Sequence, residues 1–297
     1  MSTRQTFLKR FADQLAAFQA GTDAFTVFSQ VAASSASAGP PKPRPGTLVV
    51  LDSSFNPPTR AHLRMATSAI RSAAQARDRT PADVRLLLLL AVNNADKAPK
   101  PAAFHLRMEM MRLFALDLLD HPAGDEAESK TQGTPTLGEA GLAVDLGLTT
   151  LPYFHDKSRA IAESGAYEGS EQVVLAGYDT LIRIFNPKYY EGRLMSALDP
   201  FFARARLRIT TRTGDGWGGR QEQVEYLQSL RAGKLADAGG REEWCDRVDL
   251  VEGGSEVVSS TKVREAAERS DAGALGALVT KRVGEFVLEE KLYRTAA

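Results

Sequence analysis

Cysteine is nearly absent: among 297 residues there is one, Cys245. A single thiol closes no internal disulfide and builds no cysteine-rich zinc site, so a reducing compartment is the simplest setting. Net charge is also absent. Lys+Arg and Asp+Glu number 37 each, so no overall field favours nucleic acid or an anionic membrane. Any anion site must come from local placement. Long apolar runs are missing as well, the longest being 86–92, far too short to cross a bilayer. The first residues lack the apolar block of a signal peptide, and there is no internal repeat. These absences lead us to expect a soluble cytoplasmic and/or nuclear protein with no nucleic-acid and no membrane partner.

What is present is a substantial apolar fraction, 43%, enough to core one large α/β domain or two small ones. Residues 2–19 carry Phe7, Leu8, Phe11, Leu15 and Phe18 at helical spacing. A short segment at 25–31 follows, and 32–46 is rich in Ala, Ser, Pro and Gly with no apolar period, which reads as a linker. We therefore divide the chain into 1–46, an N-terminal helix and linker, and 47–297, the main domain, with a flexible insertion at about 121–141.

From residue 47 strands and helices alternate. Apolar runs predict strands at 47–52, 84–92, 142–148, 171–176, 207–211 and 248–251. Helical patterns follow at about 59–77, 102–119, 156–164 and 221–230, with a helix opened by Ser259 and one or two more within 272–294. This rhythm predicts a doubly wound, mainly parallel α/β sheet with an N-terminal helical extension. Ligands then bind beyond the carboxyl ends of the strands.

Two stretches carry chemistry. The first runs from the strand at 47–52 through Ser53-Ser54-Phe55-Asn56-Pro57-Pro58 into a helix with Thr59 and His62 in its first turn. Small residues let a ligand approach the backbone, prolines stiffen the turn, and the helix N-terminus offers free amides and a positive dipole end. A phosphate there could accept from the backbone, the Thr59 hydroxyl and an imidazole nitrogen. The bland alternative is an N-capping Thr59 and a packed His62. The second stretch is Ser259-Ser260-Thr261-Lys262-Val263-Arg264, hydroxyls where a helix starts. With Ser260 or Thr261 as cap, the position that prefers Glu or Gln holds Val263 or Arg264. Cations early in a helix oppose its dipole unless an anion sits there too, so Lys262 and Arg264 point to a polyphosphate; the alternative is an ordinary capped helix with solvated cations.

Together, Ser54-Phe-Asn-Pro-Pro-Thr59-x-x-His62-Leu-Arg-Met and Ser259-Ser-Thr-x-x-Arg264, about 200 residues apart, resemble the nicotinamide mononucleotide adenylyltransferase family. The likeness is to its eukaryotic and fungal branch, in the H-x-G-H nucleotidyltransferase superfamily, and covers about 47–290. It implies a Rossmann-like fold and adenylyl transfer from ATP to nicotinamide mononucleotide, giving NAD and pyrophosphate, with Mg²⁺ arriving with ATP and no dedicated metal cage. It implies catalytic roles for His62 and Arg264 on the phosphates. ATP contacts then fall to Ser54, Phe55, Thr59, His62, Ser260, Thr261 and Arg264, to Gly177 and Asp179 in Leu-Ala-Gly-Tyr-Asp, and to Arg212. Lys97, Lys100 and Arg107 resemble cations that hold the mononucleotide phosphate.

The family's Trp after the third strand of the domain has no counterpart in 148–157. Tyr153 or Phe154 could stack on the acceptor ring instead, and Trp217 is another aromatic in reach of that role. Two other readings stay open: a nucleotidyltransferase using a different acceptor or CTP, and an ATP-binding or ATP-hydrolysing regulatory protein. An oligomer is compatible with all three.

Overall fold

The computed structural model describes residues 3–33, 44–76, 80–92, 102–124, 133–190, 194–211, 218–254 and 258–294. Seven strands form one sheet: β1 (Phe25–Ala32), β2 (Thr47–Asp52), β3 (Val84–Ala91), β4 (Ala143–Thr149), β5 (Glu171–Gly177), β6 (Ala205–Thr210) and β7 (Val248–Val251). Their spatial order is β1-β4-β3-β2-β5-β6-β7. All pairings are parallel except that of β1, which runs antiparallel to β4. The six expected strands are all present. The edge strand β1 is an addition to the sequence reading, which left 25–31 without an element.

The helices are α1 (Thr3–Ala20), α2 (Arg60–Gln75), α3 (Phe104–Leu119), α4 (Phe154–Glu163), α5 (Tyr178–Ile184), α6 (Leu194–Arg204), α7 (Arg220–Ser229), the short α8 (Leu235–Asp237), α9 (Ser260–Glu268), α10 (Ala272–Leu278) and α11 (Lys281–Glu289). Side chains alternate across a strand, and the sheet has a core on each side. Val49, Leu51, Leu86 and Leu88 meet residues of α1, α2, α3, α9, α10 and α11. Leu48, Val50, Leu87 and Leu89 meet α4, α5, α6, α7 and α8. With both faces covered, the centres of β2 and β3 are apolar, at 48–51 and 86–90, which is why they read as continuous runs. The architecture is Rossmann-like and doubly wound.

The N-terminal residues are part of this body. Phe11 and Phe18 of α1 and Phe28 and Val31 of β1 lie in the first core. Both ends of the 121–141 segment are tied together: Leu137 donates to the His121 carbonyl at 2.8 Å and Ala123 to that of Pro135 at 2.9 Å. Its middle, 125–132, lies outside the described residues. No described helix is long and apolar enough to cross a membrane.

From β2 the chain moves outward to β3 and β4, then returns to the other flank of β2 for β5, β6 and β7. The strand order therefore reverses between β2 and β5. Their carboxyl ends, Asp52 and Gly177, mark the switch point where a doubly wound sheet opens a crevice.

Candidate active site

The turn after β2 is built around His62. The chain leaves Asp52 through Ser53 and Ser54 and turns at Phe55, whose φ of 43° is left-handed and whose ring is fully buried. Asn56-Pro57 is a cis peptide, and Thr59 caps α2. His62 sits three residues after the cap. Its Nδ1 accepts from the Thr59 backbone N–H at 3.0 Å and lies 2.8 Å from the Thr59 hydroxyl. A backbone N–H only donates, so the proton of the neutral ring is on Nε2. That nitrogen lies 3.0 Å from the Ser53 hydroxyl, at the cavity wall. The cap thus holds the imidazole with Nε2 beside Ser53, and both residues line the cavity.

The second stretch docks onto the first. Ser259, the residue expected to open this helix, caps α9 by accepting from the Lys262 N–H at 3.3 Å, so Lys262 takes the position that prefers an acid. This corrects the assignment of the cap to Ser260 or Thr261; those hydroxyls have other partners. Ser260 Oγ donates to the Pro57 carbonyl at 2.9 Å, and Arg264 donates to the Asn56 carbonyl at 3.0 Å and to Thr261 Oγ1 at 3.1 Å. The Asn56 side chain accepts from the Ala102 N–H at 3.0 Å and the Tyr293 hydroxyl at 2.9 Å. One residue therefore ties α2, α3, α9 and the C-terminal segment together. Burial raises the Tyr293 phenol well above its usual range, against the pull of Arg107 and Arg264, which keeps it a neutral donor.

Between these elements and the carboxyl ends of the strands lies a cavity of about 1000 Å³. Seven cations and three carboxylates are among its described lining residues, a positive excess inside a chain of zero net charge. Each carboxylate already has a cation: Asp52 with Lys157 at 2.5 Å, Asp179 with Arg183 at 3.4 Å, and Glu252 with Arg220 at 3.4 Å. Arg208 reaches Ser68 at 2.9 Å and Ser72 at 3.3 Å, and burial lowers its pKa. Gly253 closes the β6–β7 side. A Cβ there would lie 2.2 Å from the Thr211 carbonyl oxygen, so only glycine fits this approach.

The other half of the cavity, beyond β3 and β4, is aromatic. Tyr153 caps α4, is 46% exposed, and stacks on His155 at 5.7 Å and 15°. His155 leans on Tyr190 at 5.6 Å. Burial holds the His155 pKa down, opposed by Asp156 and aided by Arg159. The Phe154 ring lies 5.4 Å from the Lys157 ammonium. Arg107 is buried, donates to the Ala102 carbonyl at 2.7 Å and covers the Phe104 ring at 4.6 Å; burial lowers its pKa.

The cavity wall includes Ser54, His62, Arg107, Tyr153, Phe154, Gly177, Asp179 and Arg264. Phe55 and Thr59 lie behind it as buried supports. Ser260 and Thr261 hold Asn56, Pro57 and Arg264 in place, and Ser259 reaches the wall instead. Lys97, Lys100, Arg212 and Trp217 lie outside the described residues. The sequence reading missed Asp52, Lys157, Asn56 and Arg208. Asp52 carried a usable signal: a carboxylate ending an otherwise buried parallel strand needs a partner.

Two stretches about 200 residues apart therefore share one cation-lined crevice at a strand-order switch. His62 and Arg264 line it with their side chains held in place by hydrogen bonds, an arrangement suited to holding a polyphosphate and stabilising charge that develops on it. No family model matches the chain. The chain is 30% identical over 290 residues to a Schizosaccharomyces pombe protein called "Putative nicotinamide mononucleotide adenylyltransferase", covering 96% of this chain and 98% of that one. Among solved structures, Plasmodium falciparum nicotinic acid mononucleotide adenylyltransferase complexed with NaAD aligns at TM-score 0.49 and 11% identity, covering 83% of this chain and 97% of that chain. The same enzyme complexed with APC aligns at TM-score 0.47 and 11% identity, covering 84% and 97%.

Proposed function

The chain belongs to the nicotinamide mononucleotide adenylyltransferase family, and from that premise we propose that it transfers AMP from ATP to nicotinamide mononucleotide, forming NAD and releasing pyrophosphate. The observation that carries this reading is the docking of the second motif on the first. Arg264 and Ser260 bond to the backbone of Asn56 and Pro57, so His62 and Arg264 converge on one stretch of crevice. Two helix N-termini, those of α2 and α9, open beside them.

The phosphate of the mononucleotide is already an anion, so no side-chain nucleophile is required. It attacks the α-phosphorus of ATP in line, forming the new P–O bond as the bond to the β-phosphate oxygen breaks. Catalysis then rests on positioning and on stabilising the leaving pyrophosphate. His62 donates from Nε2 with its ring fixed by Thr59. Arg264 offers a planar fork that lies against Thr261 and Asn56. Gly177, ending β5, and Asp179, in the first turn of α5, would serve the nucleoside, and Arg107 with Tyr153 and Phe154 the acceptor.

Magnesium fits this site as a companion of ATP. Mg²⁺ is usually held by one or two carboxylates, waters and substrate phosphates. The described carboxylates of the cavity are all paired with cations, and the described residues contain no cluster of three or more His, Cys, Asp or Glu placed to hold a metal. Mg²⁺ would arrive with ATP, held mainly by its phosphates, and would supply charge neutralisation.

Incubation of the purified protein with ATP, Mg²⁺ and nicotinamide mononucleotide tests the proposal. NAD is expected from the wild type and is lost in His62→Ala. ADP without NAD would point instead to an ATP-hydrolysing regulatory protein, and ATP binding with no turnover would refute both enzyme readings.

A further inference from the structure

The acceptor half of the cavity contains an ion pair that phosphate binding does not use. Asp52 is the last residue of β2, and Lys157 lies on α4 one turn after Tyr153. The Lys157 N–H bonds to the Tyr153 carbonyl at 3.0 Å, which sets the lysine one turn after the exposed tyrosine at the same cavity. The Lys157 ammonium meets Asp52 Oδ2 at 2.5 Å and lies 5.4 Å from the Phe154 ring centroid. Each side chain is 7% exposed, and both line the cavity.

Such a pair adds little stability by itself. Taking two charges out of water costs about as much as their attraction returns, and apolar residues of similar volume often serve as well. At a cavity wall, however, a desolvated pair presents a fixed polarity to a ligand. We infer that Asp52 and Lys157 read the 3-substituent of the acceptor's pyridine ring and favour the neutral carboxamide over the carboxylate. The inference rests on the proposed function.

A ring laid against Tyr153 or Phe154 brings its substituent to this pair. A carboxamide has an N–H donor for the Asp52 carboxylate and an oxygen acceptor for the Lys157 ammonium. A carboxylate has acceptors only: it satisfies Lys157 while facing the charge of Asp52. Because the pair is neutral as a whole, it gives the anionic ligand no net compensation for lost hydration.

The test is the ratio of kcat/KM for nicotinamide mononucleotide to that for nicotinate mononucleotide, with ATP and Mg²⁺. The wild type is expected to favour the amide by about tenfold or more. Asp52→Asn leaves the lysine charge without its carboxylate and is expected to move the ratio toward nicotinate by about tenfold, whereas Lys157→Met moves it the other way. A merely structural role would lower both acceptors together and leave the ratio fixed. Should Asp52→Asn not fold, the double variant Asp52→Asn/Lys157→Met leaves no unpaired buried charge and is expected to bring the ratio toward one. A wild-type preference for nicotinate, or a ratio unmoved in every folded variant while dinucleotide still forms, overturns the inference and leaves the proposed function standing. No dinucleotide from either acceptor overturns both.

Discussion

The two halves of the crevice are built on different principles. On the side we propose for the phosphates, each key group has a backbone partner. His62 is fixed by the Thr59 N–H, Arg264 by the Asn56 carbonyl, Ser260 by the Pro57 carbonyl, and Asn56 itself by the Ala102 N–H, with the Tyr293 hydroxyl as a second donor. On the side we propose for the acceptor, Arg107 leans on the Ala102 carbonyl, but the other contacts run between side chains: Tyr153 on His155, His155 on Tyr190, Phe154 beside Lys157, Lys157 on Asp52. Backbone-held donors tolerate little substitution because their geometry is their function. Side-chain stacks and pairs can be exchanged one at a time, so they are the natural place for acceptor choice to be set.

The largest effect that would sharpen this contrast is on the phosphate side. His62→Ala should lower kcat by about 10²–10³-fold, the range for removing one preorganised donor to developing charge, with stability lowered by only about 1 kcal/mol through the lost Thr59 bond. Arg264→Lys keeps the charge but loses the fork that spans Asn56 and Thr261. It should cost about 10-fold or more in kcat, and a variant close to wild type would show that charge alone suffices there.

These phosphate-side groups were also the ones legible in sequence. Small residues and prolines before Thr59-x-x-His62, and hydroxyls before Arg264, announce themselves because phosphate sites draw on few residue types. The buried parallel strands were legible for a similar reason: a strand covered on both faces is apolar through its centre, as 48–51 and 86–90 are. β1 was not, because an antiparallel edge strand carries polar residues such as Thr26, Ser29 and Gln30, and its register slips between Val27 and Ser29. Lys157 was hidden among the charged neighbours of Asp156 and Arg159, where a helix cation normally reads as solvated. Asn56 was hidden because its role is defined by Ala102, Arg264 and Tyr293, which only the fold brings together.

Intermediate effects belong to the acceptor side. Tyr153→Ala should raise the acceptor KM by about 3- to 10-fold through loss of an aromatic face, while the KM for ATP stays the same. An equal rise in both would erase the division into halves. A smaller effect is expected where the C-terminal segment meets the turn. Tyr293→Phe removes one hydrogen bond to Asn56 and should destabilise the fold by about 1 kcal/mol, measured by thermal or denaturant unfolding.

The smallest effect concerns His155. Its folded pKa is lowered by burial, so the folded state favours the neutral ring. Its contribution to stability is complete above the unfolded value of about 6.5 and is lost as pH falls through that value toward the folded one. Unfolding curves between pH 7 and 5 should therefore weaken more in the wild type than in His155→Gln; identical slopes would place His155 outside this linkage.

The most direct measurement follows the phosphorus atoms of ATP. With ATP labelled separately at the α- and γ-phosphates, Mg²⁺ and nicotinamide mononucleotide, the α label should appear in the dinucleotide and the γ label in pyrophosphate, one for one, with both lost in His62→Ala. Release of the γ label as inorganic phosphate, with the α label retained in ADP, would contradict adenylyl transfer.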